Sequence, residues 1–140
     1  MAQDVTQEIV SNLGRLTEKL GVGSAAGTIF GRLYFYGSMT QEKLRDDMGI
    51  GLSSVSQGLT VLEASGFVIS GKDGRKRLYS ANIEGNRKVL EDIMRFNLMP
   101  LADLIASMES GIKDKEAKAK LKLLREACTR CCSNIKKVVR

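Results

Sequence analysis

Lys72, Arg75, Lys76 and Arg77 crowd into six residues, with only Asp73 opposing them. A compact cationic cluster of this kind attracts polyanions, the phosphate backbone of nucleic acid above all. Shortly before it, Ser53, Ser54, Ser56, Gln57 and Thr60 place short polar groups on one side of a segment whose other side carries Val55, Leu59 and Leu62. Hydroxyls of that size reach phosphates or base edges in a major groove, and a Gln amide pairs with adenine through two hydrogen bonds. Thr40, Gln41 and Arg45 complete the set of candidate DNA contacts. Cys128, Cys131 and Cys132 offer a second chemistry, because they lie within one helical turn and span about 100° of arc. Arg125, Arg130 and Lys136 nearby favour thiolates, so a thiol redox sensor or a soft-metal site is one reading. The other is that these cysteines pack as small hydrophobes, in which case the chain holds no metal.

The chain has no histidine. That removes His-based acid–base catalysis, Ser-His-Asp triads and His-containing zinc sites, so neither an enzyme nor a cofactor is expected. Three cysteines in a cytosolic chain do not make a disulfide framework. The N-terminus carries Asp4 and Glu8 where a signal peptide would be basic and then apolar, and the most apolar stretch, residues 25–36, is cut by Arg32. A cytoplasmic protein without a membrane partner is therefore expected. Its 140 residues are 43% hydrophobic with no Trp, which suits one modest domain with aliphatic, helix-dominated packing, completed by a partner. The formal charge of +6 is uneven: residues 1–110 hold 12 basic and 13 acidic side chains, residues 111–140 hold 10 and 3.

The elements that must position these groups follow from periodicity. Residues 4–20 carry Val5, Ile9, Leu13, Leu16 and Leu20 at helical spacing, predicting an amphipathic helix with one apolar face that Gly21 and Gly23 end. Ser24 can cap a second, central helix running to Tyr36, and the small residues 23–27 would let another backbone approach closely. Thr40 is placed to cap a third helix that ends near Met48. Gly49 then allows a tight turn, Ile50 returns to the core, and Gly51 caps a fourth helix to residue 65. Asp73-Gly74 predicts a two-residue hairpin turn between residues 67–72 and 75–81, setting Lys72 opposite Arg75 and Ser70 opposite Arg77. Like charges opposed in that way are costly unless an anion relieves them.

Beyond Gly85 the spacing becomes that of a seam. Leu90, Met94, Asn97, Leu101, Leu104 and Met108 recur every three or four residues, with Pro100 predicting a kink or break near Met99. Ala117, Leu121, Leu124, Cys128, Cys131, Ile135 and Val138 continue the pattern in a last helix. Two such seams predict antiparallel helices that pack on each other and on a second subunit, with Leu90, Met94, Leu101, Leu104, Met108, Leu121, Leu124 and Ile135 as dimerisation residues. Asn97 either fixes register there or faces solvent beside Pro100.

Met48-Gly49-Ile50, Val55-Ser56, Leu59, Leu62-Glu63, Gly66-Phe67-Val68 and a hairpin ending in Leu78-Tyr79 resemble the MarR superfamily of transcriptional regulators. Gly23-Ser24-Ala25-Ala26-Gly27 and the Gly-Arg-Lys wing look most like its GbsR-type branch, and the resemblance covers residues 21–83. It implies a homodimeric regulator that places residues 51–65 in the major groove of double-stranded DNA and Lys72 to Arg77 at its flank. Three departures from the family pattern bear on function: Arg45 stands where a small residue is common, Gly51-Leu52 where a Ser-Lys pair is common and Gln57 where a basic residue is frequent, so that residues 51–65 carry no positive charge.

The sequence thus predicts a mainly α protein with a small β-hairpin wing. Residues 1–83 form a winged helix-turn-helix (helix-turn-helix 40–65, wing 67–81) and residues 84–140 a helical dimerisation region. Its expected role is a sequence-specific regulator with an unknown small-molecule effector. The alternatives are a winged-helix protein-interaction adaptor and a thiol redox- or metal-responsive regulator using the C-terminal cysteines.

Overall fold

The computed structural model describes residues 2–139. In chain order the elements are α1 (Ala2–Lys19), α2 (Ser24–Tyr36), β1 (Met39–Thr40), α3 (Gln41–Met48), α4 (Leu52–Ala64), β2 (Val68–Asp73), β3 (Lys76–Ala81), α5 (Ile83–Ile93), a π-helical turn (Met94–Leu98), α6 (Met99–Glu109) and α7 (Lys115–Val138). They fall into two compact units, residues 1–86 and 87–140.

In the first unit α1 and α2 pack with little side-chain bulk between them. A Cβ on Gly27 would run into the Leu13 carbonyl, and one on Gly31 would come within 2.9 Å of Val10 Cγ2. Of the apolar row of α1, only Leu13 therefore packs inward. Thr6, Val10, Leu13, Gly14 and Thr17 turn toward the protein, while Val5, Ile9, Leu16 and Leu20 are exposed, Leu16 by 53%. Close backbone approach selects the small-residue stripe, and the larger residues are left outside. Ser24 is not the cap of α2: Gly23 holds that position, and Thr17 Oγ1 of α1 accepts the Gly27 N–H at 3.0 Å.

The helix-turn-helix forms by local rules. Thr40 Oγ1 accepts the Lys43 N–H at 3.1 Å, closing the start of α3. Gly49 ends it in the left-handed region, at φ 66° and ψ 30°. Gly51 then starts α4. Val55, Leu59 and Leu62 of α4 join Ile29 and Leu33 of α2, Leu44, Val68 and Tyr79 in a single buried cluster. Gly58 lets α4 lie directly on α2, since a Cβ there would meet Ile29 Cδ1 at 2.8 Å.

The sheet has three antiparallel strands in the order β1-β3-β2. The two-residue β1, which the sequence did not reveal, pairs Met39 with Tyr79 and Thr40 with Leu78. The hairpin register differs from the expected one by one residue on each strand. Lys72 pairs with Arg77, Asp73 with Lys76, and Gly74-Arg75 form the loop. Gly74 has φ 67° and Arg75 has no positive φ, as a two-residue loop with Gly in its first position requires. Asp73 thereby gains a cation directly opposite it.

In the second unit α6 and α7 form a helical hairpin. Asp114 caps α7 by accepting the Glu116 N–H at 3.2 Å, and Arg125 Nε reaches Glu109 Oε2 at 2.7 Å. Pro100 does not break the chain. It sits in the first turn of α6, and the preceding turn widens so that the Met99 N–H reaches back five residues to Met94. That widening absorbs the missing donor and the bulk of the ring. The intrachain seam is also rotated from the expected one: Ile105, Cys128 and Cys132 are buried, whereas Leu101, Leu104, Met108 and Leu124 are exposed. Cys132, and not Cys131, lies on the inward stripe. Asn97 is exposed.

Candidate nucleic-acid interface

Along α4, burial alternates with helical period. Val55, Gly58, Leu59 and Leu62 are buried, and Ser53, Ser54, Ser56, Gln57 and Thr60 are exposed. The apolar residues hold the helix against the core, so the polar edge is displayed on a rigid support. Thr60 Oγ1 donates back to Ser56 O at 2.9 Å, leaving its lone pairs outward. Upstream, Gln41 Nε2 reaches Leu52 O at 3.5 Å, tying the start of α3 to the start of α4. Arg45 does not stand free: its Nε lies 3.0 Å from Asp46 Oδ1, and the neighbouring Lys43 is bridged to Asp47 at 2.8 Å.

The wing carries the uncompensated charge. Lys72 and Arg77 face each other across the hairpin, Arg75 occupies the loop, and Lys76 stands against Asp73. Among the described residues Lys72, Arg75 and Lys76 make no ion pair closer than 4 Å. Arg77 is held instead by a polar relay: its Nη1 donates to Ser70 Oγ at 2.9 Å, and that hydroxyl donates to Glu63 Oε2 of α4 at 3.5 Å. The wing is thus tied to the back end of the displayed helix. The Lys72–Arg77 pairing leaves the like-charge opposition in place, one residue pair further from the tip than expected.

Tyr79 was not among the sequence candidates. It lies where β1, β3 and the helices meet, and burial raises its pKa, with Glu63 adding to the rise, Arg77 opposing it and Glu42 adding again. Only the unforeseen β1 marks this position as special. Beside it, Thr40, Gln41 and Glu42 on one side and Arg75, Lys76 and Arg77 on the other enclose a groove of about 430 Å³. A larger groove of about 520 Å³ lies between α1, α2 and the end of α3. There Arg32 donates to Asp47 O at 3.3 Å and stands 5.8 Å from the Tyr36 ring.

Cys128 and Cys132 are buried and Cys131 is exposed, and no cluster of three or more metal-ligating side chains occurs among the described residues. No helix among the described residues is long and apolar enough to cross a membrane.

No family model matches the chain, and no curated protein matches it. A crystal structure of a transcriptional regulator superposes with a TM-score of 0.73, over 96% of this chain and 95% of that one, at 16% identity. A transcriptional regulator from Thermotoga maritima (TM-score 0.45, 21% identity, 96% of both chains) and BldR from Sulfolobus solfataricus (0.45, 19%, 92% and 89%) are more distant. The fold is a winged helix-turn-helix followed by a helical unit.

Proposed function

We propose that this protein is a sequence-specific DNA-binding transcriptional regulator that acts as a homodimer. The observation that carries the reading is the division of labour on one surface. The exposed edge of α4 is polar and uncharged, and the wing tied to it by Glu63, Ser70 and Arg77 holds cations with no internal ion-pair partner. Residues 51–65 enter the major groove, where Ser53, Ser54, Ser56, Gln57 and Thr60 meet base edges and phosphates. Lys72, Arg75, Lys76 and Arg77 grip the flanking backbone or minor groove. The structure with the same fold is that of a transcriptional regulator, which supports this assignment. So does the resemblance of residues 21–83 to the GbsR-type branch of the MarR superfamily.

The homodimer is supported by apolar surface that a single chain leaves uncovered. On α6 and α7, Leu101, Leu104, Met108 and Leu124 are exposed, and on α1 Val5, Ile9, Leu16 and Leu20. Large exposed apolar patches mark association surfaces, and a two-fold dimer would present two reading heads to a pseudo-palindromic operator.

Two measurements test the reading. Sedimentation is expected to give a dimer mass, and duplex binding is expected to weaken steeply and log-linearly with salt. Absence of binding to any duplex at low ionic strength overturns the regulator and favours the protein-interaction adaptor.

A further inference from the structure

The groove between the start of α3 and the root of the wing contains a donor with nothing to bond. Tyr79 is only 8% exposed and its ring belongs to the core cluster. Its hydroxyl makes no hydrogen bond to a described residue. Among the described residues no side-chain oxygen is both sealed from solvent and unpartnered, so this one opens into the groove it lines.

We propose that this groove seats one phosphate of the DNA backbone, with the uncharged Tyr79 hydroxyl donating a hydrogen bond to a phosphate oxygen. The proposal rests on the DNA-binding reading above and adds a residue to it. Arg75, Lys76 and Arg77 supply charge from the wing side. From the other side comes the N-terminus of α3, where Thr40 satisfies only the Lys43 N–H. The remaining first-turn N–H groups have no partner within the helix, and the helix dipole adds partial positive charge there. Apart from the Tyr79 ring the lining has no apolar residue, which suits a phosphate better than a small organic ligand. The buried phenol, with Glu63 and Glu42 near it, stays protonated and is therefore a donor. Glu42 is the one carboxylate on the lining, and it opposes the anion.

Inorganic phosphate offers the same chemistry as a backbone phosphate, and the test separates the two sources. Full-length wild-type protein, Tyr79→Phe and Glu42→Gln are titrated against labelled duplexes across a salt series, with melting curves to confirm folding. Tyr79→Phe keeps the ring and is expected to bind every duplex about tenfold more weakly, as for a lost hydrogen bond to a charged group. Its salt slope is expected to match the wild type, because a phenol displaces no counterion. Glu42→Gln is expected to bind more tightly. An unchanged Kd in folded Tyr79→Phe overturns the seat, as does a loss accompanied by a slope lower by about one unit, which would mean that the ionic contact itself had gone. If the wild type binds no duplex, the regulator reading falls separately. The phosphate seat then stands only if inorganic phosphate shifts the Tyr79 ring resonances and Arg77→Ala abolishes the shift; no shift overturns it too.

Discussion

The displayed helix α4 and the wing stand on the same surface and are built on opposite principles. Every cation of the pair is on the wing, and almost all of the burial is under the helix. Val55, Leu59 and Leu62 are at most 5% exposed, whereas residues 71–77 are exposed without exception. A helix locked from behind can hold neutral side chains in fixed register, which base-edge hydrogen bonds need. A hairpin tip with nothing behind it cannot hold register so closely, but charge acts over the Debye length of several ångströms and tolerates the looseness. Under the proposed function, selectivity belongs where the structure is stiff, and grip where it is charged.

Removing the support of the stiff element is the largest perturbation. Leu59→Ala deletes a side chain that is 2% exposed in the core cluster and is expected to cost about 2–5 kcal/mol of stability. Chemical denaturation measures this, and a cost below about 1 kcal/mol would mean that α4 is not anchored as described. Arg75→Ala and Arg77→Ala test the other side of the comparison. Each is expected to leave the melting temperature nearly unchanged, weaken binding on all duplexes alike, and lower the salt slope by about one unit. Sequence-selective loss from either variant would transfer part of the reading function to the wing. Gln57→Ala is expected to be smaller and different in kind, relaxing preference at one base pair by about 1–3 kcal/mol with the salt slope intact. Equal weakening on specific and random duplexes would return Gln57 to the role of a spacer.

What the sequence made legible divides along the same line. Thr40 as a cap, Gly49 as a left-handed stop and Gly51 before α4 are effects of one residue on its own backbone, and the structure has all three. The packing face of α1 is not legible from hydrophobic period, which weighs large residues, because Gly14, Gly27 and Gly31 decide the contact by their smallness. The choice between Cys131 and Cys132 failed similarly: one sequence carries two apolar stripes, one for its own hairpin and one left exposed, and spacing alone does not say which is which. The setting of Tyr79 is not legible because it depends on β1, a two-residue strand too short to leave a pattern.

The hairpin register supplies the smallest and most local test. Asp-Gly is a strong loop signal, yet here Asp73 is drawn into the ladder opposite Lys76 and the loop moves to Gly74-Arg75. Two features favour that outcome: Gly74 carries the only positive φ in the loop, and the pair that closes it, Asp73 with Lys76, is of opposite charge, where the alternative register would close the loop with Lys72 against Arg75. Asp73→Asn removes the attraction while keeping shape and hydrogen-bonding capacity. It is expected to cost no more than the 0.2–1 kcal/mol or so of a cross-strand pair and to shift the tip toward the other register, seen as changed amide shifts confined to residues 71–77. Because the substitution also removes the one acid among the wing cations, DNA affinity should rise slightly even as the hairpin loosens. A fall in affinity would show that the placement of the tip matters as much as its charge, and the contrast between a stiff reader and a tolerant grip would then have to be narrowed.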